Sequence, residues 1–459
     1  MAEDEQVDKV TLRVLVDKEK NKVLLAEAGK DFVDALFSFL TFPLGTIARL
    51  VAEESNIEAV KFGSLSSLYQ SVKDLDPQYL WSHTCKEMLL KPRNSMQPYC
   101  WKLKLNINTT EPLNCYFFCE DNSCKIENRT CVSLFRNQTC ICGKLFKKEK
   151  LMKYSIREPG FVKETSTFIV SDDLYVMPNE VGTSLDLLQK LGVNNIDAIV
   201  IETLNISTKE VVDLLKLSLV SKTPLTNFIF TKQQLTNLDP RNRLEFWVGE
   251  EDEPSDDNNA EMVVKVFRRK SNEQILFVEA QEDFADFVFS FLTFPLGSVI
   301  HMFGGFSFLR CIDNLYRSMV DMSPDRCLKS EQLKFELTSP FIADQYGLKN
   351  QILRLPYHVR NFRLYKFVDP KSPISGGFSR GPLTFMVTDD LVVTPMSSIS
   401  GVSYLERMKV PLNDVEERVI RIGRKEGLRI LKASLTTTST LTNGLSLSII
   451  EQFLREKSS

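Results

Sequence analysis

Alternating apolar and polar positions mark the first structured segment of the chain. Residues 10–16 place their apolar side chains at every second position, and a polar turn separates them from the apolar run 23–26. A period of two is typical of a half-buried strand, so the pattern predicts a β-hairpin. The same alternation returns at 262–266, so we expect a second hairpin there.

An apolar helix is predicted directly after each hairpin. The nonapeptide Phe-Ser-Phe-Leu-Thr-Phe-Pro-Leu-Gly stands at 37–45 and returns unchanged at 289–297, which indicates an internal duplication. Apolar residues cover nearly every face of this helix, as in helices that are buried on all sides. Pro43 is expected to end the helix, Gly45 to permit a sharp turn, and Thr46 to cap the next helix.

The second copy of this helix also has the length of a membrane span. The 23 residues of Phe287–Leu309 contain no Asp, Glu, Lys or Arg. However, Pro295 interrupts the run, and the matching stretch of the first copy carries Asp34 and Arg49. Two packed helices in a protein core account for both copies, so we expect no membrane contact.

Further matching segments define the predicted fold and domains. Each copy has the order hairpin, helices, strands, helix, strand, helix, which favours an α+β fold and leaves α/β open. The first copy is longer by about 30 residues, and the excess falls on a cysteine-rich, zinc-ribbon-like insertion. We therefore predict two tandem homologous domains with these boundaries: first domain 1–236, cysteine-rich segment about 111–150, acidic linker 249–261 and second domain 262–459.

Composition excludes several classes of function. A formal charge of −3 offers no general attraction to phosphate backbones, so we find no strong nucleic-acid signal. The acidic start, residues 1–6, lacks the apolar segment of a signal peptide, which favours a cytoplasmic protein and leaves a nuclear location open. Cysteines in such a compartment are reduced, which favours metal binding over disulfides.

The cysteine-rich segment carries the strongest chemical signal in the chain. Cys119 and Cys124 form one close pair, Cys140 and Cys142 form another, and fifteen residues separate the pairs. This spacing suits two knuckles around one tetrahedral Zn²⁺, with Gly143 turning the backbone beside the second pair. A site of four thiolates has no open position, so the predicted zinc is structural. Two further cysteines, Cys115 and Cys131, are alternate ligands. Ordinary reduced cysteines or a redox function remain alternatives to a metal site.

A glycine loop and a pair of acids recur in both copies and form the second candidate site. The loop amides, with Lys163 or Arg380, could cradle a phosphate, and the acids could bind a divalent cation or act as acid and base. The glycine spacing matches no phosphate-binding fingerprint, and paired Asp residues between two strands are typical of turns. The candidate residues are Gly160, Lys163, Asp172 and Asp173 in the first copy, and Gly377, Arg380, Asp389 and Asp390 in the second.

These motifs together resemble a known family. The helix that ends in Leu-Thr-Phe-Pro-Leu-Gly, the Cys-x-Cys-Gly at 140–143 and the Phe-x-Val-[Ser/Thr]-Asp-Asp-Leu segments are similar to the plant family catalogued as domain of unknown function 674. The resemblance covers nearly the whole chain and implies a plant source. It also implies that the cysteine segment is a family feature, which the second copy lacks. The family has no established activity, so the resemblance assigns no catalytic residue.

The sequence therefore favours a non-enzymatic, intracellular interaction or scaffold protein with protein partners and a structural zinc site. The alternative is an enzyme or small-molecule binder, including one for phosphate ligands, that acts at the glycine loop and the acid pair. RNA binding through the lysines at 144, 147, 148 and 150 is a weaker possibility, because a lysine run usually forms a solvated face.

Overall fold

The computed structural model describes most of the chain. The described residues are 8–53, 55–108, 115–151, 158–193, 197–230, 261–343, 345–353, 355–356 and 364–458. All but one residue of the predicted acidic linker, 249–261, lie outside this part of the chain. Below, the first half means residues 10–230 and the second half means residues 262–458.

Both halves are built from runs of strands and runs of helices. The strands are β1 (Val10–Asp17), β2 (Lys22–Ala28), β3 (Cys115–Cys119), β4 (Lys125–Ile126), β5 (Arg129–Ser133), β6 (Phe146–Leu151), β7 (Phe168–Ser171), β8 (Val176–Pro178), β9 (Ile199–Ile206), β10 (Met262–Arg269), β11 (Ile275–Gln281), β12 (Tyr365–Phe367), β13 (Thr384–Thr388), β14 (Val393–Pro395) and β15 (Val415–Ile422).

The α-helices are α1 (Lys30–Thr41), α2 (Leu44–Ala52), α3 (Leu65–Asp74), α4 (His83–Leu90), α5 (Gln97–Cys100), α6 (Val181–Lys190), α7 (Thr208–Val220), α8 (Pro224–Phe230), α9 (Glu282–Ser290), α10 (Leu296–Met302), α11 (Arg310–Asp321), α12 (Pro324–Cys327), α13 (Glu331–Thr338), α14 (Ser398–Arg407), α15 (Arg424–Thr436) and α16 (Thr440–Ser458). Single 3₁₀ turns lie at Pro77–Tyr79, Phe291–Thr293 and Leu412–Asp414.

Two five-stranded sheets have the same construction. Their strand orders are β8-β7-β2-β1-β9 and β14-β13-β11-β10-β15, and all pairs are antiparallel. Arg13 pairs with Glu27 in the first sheet, and Lys265 pairs with Glu279 at the matching place in the second. The hairpin predictions are confirmed. Antiparallel sheets with helices make this an α+β fold, not an α/β fold.

The repeated apolar helix lies in the core, as expected. Every residue from Phe32 to Thr41 is buried in α1, and so is every residue from Phe284 to Ser290 in α9. These helices and the inner faces of both sheets belong to one continuous hydrophobic core. Among the described residues, no helix has both the length and the apolar character needed to cross a membrane. The two halves share this core, so it does not show where one domain ends and the next begins. The domain boundaries therefore stay a prediction.

The repeated nonapeptide makes the contact between the halves. Leu44 N donates to Phe294 O at 2.9 Å, and Leu296 N donates to Phe42 O at 3.0 Å. Pro43 and Pro295 therefore face each other in an antiparallel bridge. Because each copy contributes the same groups, the contact resembles the self-complementary interface of a two-fold dimer.

This contact corrects two sequence-based expectations. Gly45 does not form a turn after the apolar helix, because α2 already begins at Leu44 with Pro43 as its N-cap and Thr46 inside it. The glycine is required by a close approach: a Cβ at Gly45 would lie 2.9 Å from Leu292 O. At Gly297 a Cβ would lie 3.0 Å from Leu40 O. Each glycine therefore lets its helix pack against the backbone of the other half.

The halves also exchange short segments beyond each proline bridge. Trp81 N donates to Phe378 O at 2.8 Å, and at the matching place Lys329 N donates to Phe161 O at 3.0 Å. Ser318 of α11 accepts a hydrogen bond from Val176 N of β8. Each sheet with its glycine loop is thus completed by a segment from the opposite half.

The cysteine-rich insertion forms a third sheet that includes a strand from the second half. Its order is β12-β5-β3-β6, and β4 pairs with β5 at one edge. Strand β12 of the second half runs parallel to β5, with Lys366 beside Cys131, whereas the other pairs are antiparallel. The insertion is therefore not confined to the first half, as its position in the sequence suggested.

Candidate metal site and the Gly-Phe loops

The first pair of candidate ligands lies where β3 ends. Cys119 is the last residue of β3, and the chain turns back so that Cys124 precedes β4. Asp121 N donates to the Cys119 sulfur at 3.4 Å, and Cys124 N donates to Asp121 O at 3.1 Å. A turn with a backbone amide directed at a cysteine sulfur suits a thiolate, because the amide stabilises negative charge on sulfur.

The second pair lies in the tight turn between β5 and β6. Thr139 and Leu145 form a bridge that closes this turn, and Cys140 N donates to Lys144 O at 2.8 Å. Gly143 has a φ of +82°, a left-handed conformation that glycine adopts without strain. The expected role of Gly143 in turning the backbone is therefore observed.

The two turns bring four sulfur atoms together. The Sγ atoms of Cys119, Cys124, Cys140 and Cys142 all lie within 4.8 Å of one another. The distance from Cys119 to Cys142 is 3.4 Å, and that from Cys124 to Cys140 is 3.6 Å. Sulfurs bound tetrahedrally to Zn²⁺ at about 2.3 Å would lie about 3.8 Å apart. Disulfide sulfurs lie about 2 Å apart, so the four free cysteines have the spacing of metal ligands.

The protonation of these cysteines differs across the cluster. Burial raises the pKa of Cys119 to about 11 and that of Cys124 to about 12. The backbone amide of Lys144 lowers the pKa of the exposed Cys142 to about 7. A metal ion binds thiolates, so its binding would have to displace protons from the buried members of the cluster.

Of the two alternate ligands, the structure describes the side chain of only one. Cys131 is fully buried in β5, and its sulfur lies 3.7 Å from that of Cys124. It is therefore a fifth thiol beside the cluster. The side chain of Cys115 lies outside the described part of the chain, so its candidacy stays a prediction.

Two lysines of the run next to the cluster pair with nearby acids. Lys144 pairs with Asp121 at 3.0 Å, and Lys147 pairs with Glu120 at 3.2 Å. Lys148 donates to the backbone oxygen of Glu120 at 2.9 Å. These contacts join the two turns around the cysteines, and RNA binding at this run stays a prediction.

The Gly-Phe loops do bind an anion, but it is a carboxylate of the protein itself. Asp34 Oδ1 in α1 accepts hydrogen bonds from Phe161 N at 2.7 Å and Val162 N at 3.0 Å. A Cβ at Gly160 would lie 2.1 Å from Asp34 Oδ2, so only glycine permits this approach. Lys30 completes the first-half site with an ion pair to Asp34 at 2.9 Å.

The second half repeats this arrangement with one reversal of charge. Asp286 Oδ1 accepts from Phe378 N at 2.9 Å and Ser379 N at 2.7 Å, and Gly377 permits its approach. Glu282 occupies the place of Lys30. Burial raises the pKa of Asp286 to about 7, and the negative charge of Glu282 adds to the rise.

The paired acids divide into a buried and a half-buried member. Asp172 accepts from Thr226 N at 2.8 Å and from its hydroxyl at 2.7 Å, which fixes the start of α8. Asp389 binds Thr442 of α16 in the same way, at 2.7 and 2.9 Å. Burial raises the pKa of Asp389 to about 6. The first acid of each pair therefore fixes a helix to a turn.

The remaining candidates have separate partners. Asp173 accepts from Ser171 at 2.7 Å, and Asp390 accepts from Thr388. The amine of Lys163 binds Asp325 O of the second half, and Arg380 N donates to Tyr79 O of the first half at 2.9 Å. Among the described residues, these loop amides and buried acids form hydrogen bonds with other groups of this chain.

Sequence reasoning missed the role of Asp34 and Asp286. The sequence-based interpretation assigned no anion from within the chain to the loops, although the buried runs 32–41 and 284–290 each carry one acid at the same place. That acid within an apolar run was the available signal, since a buried charge needs hydrogen-bond donors. The partner loop lies more than 90 residues away in each half, so no local pattern connects the two.

The fold and the cluster define a class of protein: an α+β protein of two similar halves, with a four-cysteine site on a third sheet. The family model described as protein of unknown function (DUF674) matches residues 6–425, so the chain belongs to this family. A search of curated proteins and a search of solved structures each found no match.

Proposed function

We propose that this protein is a non-enzymatic interaction or scaffold protein whose third sheet is held by one structural Zn²⁺. The observation that carries the proposal is the convergence of four cysteine sulfurs within 4.8 Å. Four thiolates fill all positions of a tetrahedral site, so a bound metal would have no place for substrate. Thiolate ligands favour zinc or iron over magnesium or calcium.

The hydrogen bonds of the loops and acid pairs also support a non-enzymatic role. An enzyme needs donors and acids that are directed at a substrate, whereas Asp34, Asp286, Asp172 and Asp389 bind backbone groups of this chain. The alternative of a phosphate or small-molecule site at these loops remains a prediction, and the internal bonds give it no support.

Metal analysis of the purified full-length chain tests the zinc site. We expect about one equivalent of zinc, and Cys119→Ser with Cys140→Ser should lose it because two of four ligands are removed. Cys327→Ser changes a buried cysteine of the main core, outside the small core of the cluster, so it is the matched control and should keep the metal. Wild-type protein purified without chelators that contains neither zinc nor iron would contradict the proposal. One equivalent of iron in place of zinc would contradict its choice of metal.

The Cys131→Ser variant separates the two possible ligand sets. If Cys119, Cys124, Cys140 and Cys142 hold the metal, this variant should still bind one equivalent. Loss of the metal from Cys131→Ser, with retention in Cys142→Ser, would instead assign Cys131 as a ligand.

Affinity capture from an extract of the source tissue tests the interaction role. Wild-type chain and the metal-free double variant are compared by mass spectrometry at equal loading. We expect specific proteins retained in amounts comparable to the bait. A wild-type chain that retains nothing above an unrelated control would contradict a scaffold role.

A further inference from the structure

Strand β9 lies at a free edge of the first sheet. The sheet order ends with β2-β1-β9, and among the described residues no strand pairs with the other side of β9. Val200 is 41% exposed and Ile201 is 56% exposed, so solvent reaches this edge. An open edge presents backbone N–H and C=O groups that another strand can bind.

The register of β9 against β1 shows which backbone groups face outward. Lys18 N donates to Ala198 O at 3.2 Å, and the pairing continues without a shift to Val10 opposite Ile206. Backbone groups in an antiparallel pair point alternately towards and away from the partner strand. The even-numbered residues of β9 therefore bond to β1. The residues that direct N–H and C=O outward are Ile199, Ile201, Thr203 and Asn205.

The matching edge of the second sheet carries far more charge. Strand β15 has four charged residues among eight, whereas β9 has one, Glu202, which pairs with Lys18 of its own sheet. Glu417 of β15 stands where Ile201 stands in β9. Charged side chains on an edge strand discourage pairing with another chain. Of these two edges, only β9 lacks that protection.

A second copy of β9 fits this edge in one symmetrical register. In an antiparallel pair centred on Ile201, the N–H of each Ile201 donates to the C=O of the other, and Ile199 lies opposite Thr203. The two Ile201 side chains meet on one face of the sheet, and no like charges face each other. A register centred on Glu202 would instead place two carboxylates opposite each other, which is unfavourable.

We propose that β9 is a dimerisation edge at which two copies of this chain pair antiparallel about Ile201. The pairing would join two five-stranded sheets into one continuous sheet across a two-fold axis. The proposal rests on the proposed interaction role, which it extends to a second copy of the chain, and does not depend on the zinc site. A strand-edge contact is small, so the dimer should be reversible, with a dissociation constant in the micromolar range.

Sedimentation of the full-length chain over a range of concentrations tests the proposal. Wild type should change from one chain to two as the concentration rises. Ile201→Lys places two ammonium groups against each other at the axis, and it should raise the dissociation constant by about tenfold or more. Val419→Lys is the matched control, because Val419 is 58% exposed on the other edge strand, β15, and it should leave the dimer unchanged.

Two further variants locate the contact. Thr203→Pro removes an outward N–H without removing a bond to β1, so it should remain folded and monomeric. Ile201→Cys should form an intermolecular disulfide under mild oxidation, because Cα atoms in a hydrogen-bonded antiparallel pair lie about 5.5 Å apart, within disulfide reach. Peptide mass spectrometry maps this link, and Val419→Cys is the control that should not form it.

The outcomes that overturn the proposal are distinct. It fails if wild type remains a single chain at every concentration. It also fails if Ile201→Lys and Thr203→Pro, shown by thermal unfolding to be folded, dimerise as wild type does. Loss of the dimer in Val419→Lys alone would assign the contact to β15 instead. A monomeric wild type that still retains other proteins in the affinity capture would overturn the dimer and leave the interaction role intact.

Discussion

At the scale of single residues, the reversal of charge beside the buried aspartates has the largest consequence. Lys30 pairs with Asp34 in the first half, whereas Glu282 faces Asp286 in the second. Burial raises the pKa of Asp286 to about 7, from about 3.9 in an unfolded chain, and the charge of Glu282 adds to this rise. The folded state binds the extra proton between these values, so this residue's contribution to stability is complete below about pH 4. It is lost as the pH rises through about 7.

Glu282→Lys should remove part of this loss. A lysine at this position would resemble Lys30 and lower the pKa of Asp286, and each unit of pKa corresponds to about 1.4 kcal/mol. The variant should gain free energy of unfolding relative to wild type at pH 8 and gain less at pH 5. Urea unfolding at both pH values measures the difference. Lys30→Glu is the reciprocal control and should lose stability at pH 8. Equal pH dependence in wild type and both variants would refute this account.

Gly297 provides a second test at this scale. Its Cβ position lies 2.7 Å from Leu337 O, 2.9 Å from Pro340 Cδ and 3.0 Å from Leu40 O, and two of these are backbone atoms that cannot rotate away. Gly297→Ala should cost about 1–3 kcal/mol, as overpacking usually does. Thermal unfolding measures the loss.

Gly182 is the matched control for that substitution. It also lies in a helix, α6, but a Cβ there would meet nothing within 4 Å. Gly182→Ala should leave stability unchanged or raise it by up to about 1 kcal/mol, because alanine favours helix. If the two variants unfold at the same temperature, the close approach at Gly297 is not what requires the glycine.

At the scale of elements, the third sheet joins the candidate metal site to the second half. Val368 N donates to Val132 O at 2.9 Å, and the Phe118 and Tyr365 rings meet edge to face at 5.4 Å. Val368 also packs in the small core formed by the buried cysteines and Phe117. The ligand turns and Val368, directly after β12, thus share this small core, whereas Phe367 of β12 packs against the main core.

Removal of the proposed metal should therefore destabilise both the cysteine-rich strands and the segment of the second half that pairs with them. After chelation, amide hydrogen exchange is expected to accelerate at 115–151 and also at 364–368, although the second segment carries no cysteine. Exchange in β1 and β2 is the internal control and should not change, because these strands belong to the main core. Faster exchange at 115–151 alone would show that β12 is held independently of the metal.

Local sequence patterns predict some elements of this fold and not others. The hairpins follow from alternation along continuous strands. The capping box at Ser207 and Glu210 likewise follows from residues three apart. The parallel pairing of β12 with β5 gives no such signal, because its partners are more than 200 residues apart.

At the scale of the whole molecule, the two halves complete each other. The proline bridge, the exchanged segments and the continuous core all run across the boundary between them. Cys311 of the second half donates to Ser221 O of the first at 3.1 Å, and Ser64 of the first donates to Thr437 O of the second at 2.8 Å. A separated half would expose much of this shared core to water.

Cleavage of the connecting segment should therefore leave the molecule intact. A specific protease site is inserted into the predicted acidic linker, 249–261, and the chain is cut after folding. We expect the two fragments to co-elute at the size of the uncut protein and to unfold in a single transition by calorimetry. A variant with a scrambled, uncleavable insertion is the control. Fragments that separate on dilution, each still folded, would show that the halves are independent domains.

The sequence by itself determined the hairpins, the apolar helices, the repeat and the two cysteine pairs. These features depend on local periodicity, turn chemistry or direct identity between segments, which a single chain displays. Only the tertiary structure decided that the loop amides bind Asp34 and Asp286 and that the nonapeptide joins the halves. Those outcomes depend on groups far apart in the chain, and folding chooses among many donors and acceptors by which ones the buried core brings into contact.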